Sequence, residues 1–96
     1  MLVNKGFSSG DIVSIKLING DEILARFESE TNEDVTITRP LVLTMNHTDG
    51  LGMMPWIILS AKELITIDKR KFFVMVPCKP DAAKQYMEGT TGIALG

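Results

Sequence analysis

Apolar and polar residues alternate with a period of two along most of the chain, which predicts strands rather than helices. Val13, Ile15 and Leu17 share one face of a first strand, with Ser14 and Lys16 on the other. Asn19-Gly20 follows and signals a two-residue type I′ hairpin, a turn that needs positive φ at both central positions. A second strand sets Ile23, Ala25 and Phe27 against Glu22, Arg26 and Glu28. Residues 29–34 are too polar for a core and predict a loop. Val35, Ile37, Leu41, Leu43 and Met45 all fall on odd numbers. That parity, carried across Pro40, predicts one long strand with a single apolar face, bent or bulged near Arg39-Pro40. Residues 47–52 read as a glycine-rich turn, and residues 53–67 as a second long strand kinked at Ala61-Lys62-Glu63. A tight charged turn over 68–71 leads into a final buried strand over 72–76, ended by Pro77.

The period changes near the C-terminus. Lys79-Pro80-Asp81 opens a helix, because proline suits the first turn and aspartate the positive end of the helix dipole. Gly89 is its expected stop. So short a helix does not persist alone in water, so Ala83, Tyr86 and Met87 are expected to dock on the sheet or on a neighbour. The chain therefore divides into an N-terminal arm (1–10), a β-barrel (11–77), a helix (78–89) and a mobile tail (90–96). The expected fold is mainly β: five strongly bent antiparallel strands closing as a small SH3-like barrel, with long middle strands and a short C-terminal helix.

Composition narrows the function. At 96 residues there is room for one domain and a modest core. A single cysteine, Cys78, excludes an internal disulfide and any cysteine zinc cluster within one chain. The start lacks the apolar stretch of a secretory signal, and no apolar run reaches the length of a membrane span, so a cytoplasmic protein without membrane contact is expected. Twelve acidic residues against ten basic ones give a net charge of −2. Any affinity for nucleic acid must then come from a local patch. Lys69-Arg70-Lys71 is the only basic run.

The order of these elements resembles the Sm-like family of Sm, LSm and Hfq ring proteins. Residues 13–27 resemble the first Sm motif, with Ala25 where the family usually carries glycine. Over 31–37, Thr36 stands at the family's usual base-binding asparagine. Asp68-Lys69-Arg70 and the following strand ending in Val76-Pro77 resemble the second motif, with Arg70 at the histidine of the Hfq version. The resemblance covers about residues 11–80, and in general character it is nearest to phage-type Sm-like proteins of marine origin. It implies a cyclic homo-oligomer of roughly five to seven subunits, closed by pairing the fourth strand of one barrel with the fifth of the next. The expected interface comprises Ile57, Ile58 and Leu59 with Phe72, Phe73, Val74, Met75 and Val76. Ring closure would also protect an apolar edge strand that is otherwise an aggregation hazard.

Single-stranded RNA is the partner this resemblance implies. Lys69, Arg70 and Lys71 are then expected to face the ring pore, where Arg70 binds a phosphate or stacks on a base. Asn32, Thr36 and Arg39 lie on the other segment matching an RNA-contacting part of the family. Read from the residues alone, the basic run is a solvated turn sooner than a binding site. Asn32 and Thr36 are ordinary loop and strand residues, and Glu30, Glu33 and Asp34 beside them repel phosphate. His47 reads as a solvated loop histidine and Cys78 as a small packed residue. Met45, Met53, Met54 and Trp56 read as core or interface packing, with an exposed partner site as the other possibility. No phosphate loop, nucleophile elbow or spaced carboxylate pair is present, and no enzyme, cofactor, metal or small-molecule substrate is expected. The reading is a non-catalytic Sm-like ring that binds single-stranded RNA. Its alternative is a structural or protein-interaction ring, such as a phage assembly component.

Overall fold

Seven strands, one 3-10 turn and one helix make up the described residues (2–3, 6–46, 50–57 and 64–90) of the computed structural model. The strands are β1 (Leu2–Val3), β2 (Ile12–Leu17), β3 (Glu22–Glu30), β4 (Asp34–Asn46), β5 (Gly50–Pro55), β6 (Leu64–Asp68) and β7 (Phe72–Pro77). The 3-10 turn spans Lys69–Lys71, and helix α1 spans Pro80–Thr90. The sheet order is β1-β7-β2-β3-β4-β5, with β6 also paired to β4. Among the described residues every pairing is antiparallel except that of β1 with β7.

The first hairpin departs from its expected turn. Gly20 has φ +99°, but Asn19 does not have positive φ. Gly20 N–H donates to the Leu17 carbonyl at 3.0 Å, and Leu17 N–H to the Asp21 carbonyl at 2.8 Å. This is a three-residue loop, a common turn closed by a left-handed glycine, and it spares Asn19 the strained conformation. Asn19 instead accepts the Asp21 N–H on its side-chain oxygen at 2.9 Å.

The long strand β4 bends the sheet. Its first half pairs with β6, from Asp34 opposite Asp68 to Thr38 opposite Leu64. Its second half pairs with β5, from Leu41 opposite Pro55 to Asn46 opposite Gly50. Between them Arg39 adopts φ +50°, and the register against β3 shifts between Leu24–Leu41 and Arg26–Thr38. The bulge changes which face the odd residues occupy. Val35 and Ile37 are fully buried in the core, whereas beyond the bulge it is Val42 that packs against the core. The single apolar face expected across Pro40 is therefore two faces, because the one extra residue rotates the strand by a half-period.

Inside the bend lies one core of Val13, Ile15, Leu17, Ile23, Ala25, Phe27, Val35, Ile37, Ile67, Phe72 and Met75. Burying one such aliphatic side chain contributes about 1.5–3 kcal/mol. The opposite face carries a second buried set. Leu24 points away from Ile23 and Ala25, yet both it and Tyr86 are buried. Helix α1 lies against this face, its Tyr86 hydroxyl bonding the Arg39 carbonyl and its Ala82 lining a cavity with Leu24 and Leu43.

Several expectations need correction. The described residues hold seven strands rather than five, because β1 is added and the long fourth strand is split into β5 and β6. Gly50 and Gly52 belong to β5 and not to a turn. The N-terminal arm also contributes to the sheet and the core. Leu2 and Val3 pair with Val74 and Met75, and Phe7 stacks on Phe27 with centroids 5.4 Å apart. Met87 is exposed, so Tyr86 rather than Met87 anchors the helix. The His47 turn, the kink at 61–63 and the tail over 91–96 lie outside the described residues.

Candidate nucleic-acid interface

The β4–β6 register sets Asp34 opposite Asp68 and so brings the β3–β4 loop beside the 3-10 turn. Thr31 shapes the loop, its hydroxyl accepting the N–H groups of Glu33 and Asp34 at 3.1 and 3.0 Å. Asp68 shapes the turn by accepting the Arg70 backbone N–H at 2.8 Å. A backbone hydrogen bond from Lys69 N–H to the Glu33 carbonyl, 2.8 Å, joins the two. The result is a cleft of about 320 Å³ lined by Asn32, Glu33, Asp68, Lys69 and Arg70.

The electrostatics of this cleft are balanced. Arg70 lies against Asp68 with two side-chain bonds, Nε to Oδ1 at 3.0 Å and Nη2 to Oδ2 at 2.8 Å. These bonds, the backbone N–H and the neighbouring Arg70 charge hold the Asp68 carboxyl down at about 2. Asp68 in turn pushes the Arg70 guanidinium up. The Arg70 side chain is nonetheless 87% exposed. Lys69 differs: its ammonium sits 3.0 Å from Glu30 and its side chain is only 15% exposed. One cation thus faces solvent while the other is folded against the sheet.

The six expected RNA-contacting residues do not share one surface. Asn32, Lys69 and Arg70 line the cleft together. Lys71 belongs to the same turn but lines an adjacent groove. Thr36 is on β4, its hydroxyl 3.0 Å from that of Thr66 on β6, and does not line the cleft. Arg39 sits at the bulge, where its carbonyl accepts the Tyr86 hydroxyl beneath helix α1.

The alternation of side chains does not announce the adjacent groove. It encloses about 560 Å³ and is lined chiefly by Leu17, Ile18, Trp56, Ile57, Ile65 and Ile67, with Lys71 at its rim. Ile18 and Ile57 are exposed, and Ile18 N–H bonds the Lys71 carbonyl at 3.1 Å. An isoleucine inside a hairpin turn is the one signal in the sequence that marks it. Among the described residues, β6 pairs only with β4, so its other edge is open beside this groove.

The expected interface residues fall in three places. Phe72 and Met75 are buried in the chain's own core, so their side chains do not face a neighbour. Phe73 is 60% exposed, and Val74 and Val76 are half-buried. Ile57 lines the groove, whereas Ile58 and Leu59 lie outside the described residues. Trp56 packs against the core, while Met45 and Met54 are exposed. Burial pushes the Cys78 thiol up, helped by the Glu22 charge, which leaves little of the nucleophilic thiolate. Among the described residues no cluster of metal-ligating side chains occurs, and no helix is long and apolar enough to cross a membrane. No protein-family model and no curated protein matches the chain.

Proposed function

We propose that this chain is one subunit of a cyclic, Sm-like homo-oligomer that binds single-stranded RNA without catalysing a reaction on it. The observation that carries this reading is the cleft in which Asn32, Lys69 and Arg70 meet from segments more than thirty residues apart in sequence. An amide and an exposed guanidinium on one rim supply base-edge and phosphate or stacking contacts. Repetition around a ring multiplies the weak affinity of one subunit. Self-association is supported by the open β6 edge, by the apolar groove beside it and by exposed Phe73.

The test is a titration of oligo-U and oligo-A at two salt concentrations. The reading predicts saturable binding that weakens with salt. Changing Lys69 and Arg70 to alanine flattens the salt dependence by about 0.7 in log–log slope for each phosphate no longer neutralised. Binding that the double variant leaves untouched contradicts this site.

A second reading, a structural or protein-interaction ring without RNA, is favoured by the ion pairs. Asp68 and Glu30 already neutralise the two cations that a phosphate would seek. Under this reading the same titration shows no saturation at low salt.

A further inference from the structure

Strand β7 pairs with β2 along one edge, and its other edge is the one a neighbouring subunit would need in the proposed ring. That second edge is not free. Leu2 lies opposite Val74 and Val3 opposite Met75, in parallel register. The contact is small: two residues of β1 against a strand of six. Among the described residues it is also the only parallel pairing, and a parallel pair is slightly less stable per residue than an antiparallel one. Strand β2 already pairs with β7, so β1 closes only the short stretch between Val3 and Ile12 and gains very few hydrogen bonds by it. Among the described residues β6, by contrast, has one unpaired edge, which offers five residues, Leu64–Asp68, for pairing with another chain.

We propose that β1 is an internal competitor for the assembly edge of β7, so that a neighbour's β6 can pair there only after Leu2 and Val3 leave Val74 and Met75. The inference rests on the ring reading above and adds a control on it. While β1 is in place the edge strand is covered at its centre, which protects the unassembled subunit from indiscriminate edge-to-edge pairing. Release of β1 exposes the backbone of Val74 and Met75, with Phe73 beside them. A two-residue contact is weak enough for a longer antiparallel strand to displace.

Two full-length variants test this by sedimentation. Leu2→Pro with Val3→Pro removes both backbone donors of β1 and prevents its pairing. Leu2→Cys with Val74→Cys, in a Cys78→Ser background, joins register partners at a spacing that a disulfide spans. The competitor predicts that the proline variant assembles at a concentration lower by about tenfold. It predicts that the oxidised cysteine variant stays monomeric and assembles once reduced. Wild-type assembly in both variants overturns the competitor and leaves the ring intact. A wild-type chain, proline variant and reduced cysteine variant that are all monomeric at every concentration overturn the ring itself, and the competitor with it.

Discussion

The Tyr86 hydroxyl donates to the Arg39 carbonyl at 2.8 Å and lies 3.2 Å from that of Thr38, tying helix α1 to the bulge of β4. The side chain is fully buried. One residue of the helix therefore holds both the helix and the bend that sets the sheet's curvature. Tyr86→Phe keeps the ring but removes the hydroxyl's hydrogen bonds to the Thr38 and Arg39 carbonyls, and is expected to cost about 0.5–1.5 kcal/mol. Tyr86→Ala also empties a fully buried aromatic site and is expected to cost about 3–5 kcal/mol. Urea unfolding monitored by circular dichroism checks both, with a lowered midpoint and an unchanged slope.

Burial pushes the Tyr86 hydroxyl up to about 12 from an ordinary value of 10. The folded chain therefore favours the protonated phenol. Its contribution to stability is full below pH 10 and is lost as pH rises from about 10 to about 12. The absorbance of tyrosinate reads this directly, since Tyr86 is the only tyrosine. Ionisation near pH 10 in the folded chain contradicts the burial of this hydroxyl.

The opposite sign holds at Asp68. Its carboxyl sits at about 2 rather than 3.8, chiefly because of the Arg70 side-chain hydrogen bond and then the Arg70 backbone N–H. The clasp's contribution to stability is full above pH 3.8 and is lost as pH falls from there through about 2. Arg70→Ala removes the side-chain bonds and is expected to return the carboxyl towards its ordinary range. Carboxyl chemical shifts followed through an acid titration check this.

Arg39 occupies left-handed backbone at φ +50°, where any side chain is disfavoured and a β-branched one most of all. Arg39→Gly and Arg39→Val both delete the guanidinium, so their difference reports the backbone. The glycine variant is expected to be more stable by about 1 kcal/mol or more. Equal stability in thermal unfolding contradicts the strained bulge.

Much of this arrangement is legible in the alternation of side chains. The faces of Val13, Ile15 and Leu17 and of Ile23, Ala25 and Phe27 follow from period two alone, because each strand buries one face. The limit comes at Arg39. Leu41 and Leu43 keep the odd parity of Val35 and Ile37, and nothing in that pattern distinguishes one continuous face from a bulge with a second apolar surface beneath a helix. At the cleft, the nearness of Asn32 to Lys69 and Arg70 depends on the β4–β6 register, which no local spacing encodes. The Asp68–Arg70 clasp joins residues only two apart, but the same short stretch reads equally well as a run of free basic charge. The strand at Leu2–Val3 is hidden for a different reason: two residues are too few to show a period.

Substitution of Phe73 distinguishes folding from the proposed assembly. Its side chain is exposed and lies outside the core, so Phe73→Ser is expected to change the subunit's own stability by no more than about 0.5 kcal/mol. The same change is expected to weaken self-association. A comparable loss in both urea unfolding and association contradicts its place at a subunit boundary.

The proposed ring is tested most directly by sedimentation of the full-length chain over a wide concentration range. A single chain has a mass of 10.6 kDa. The account predicts a single closed species several times that mass, whose size stops growing once formed, because a ring leaves no edge for further addition. A monomer at every concentration, or an aggregate that grows without limit, would contradict it.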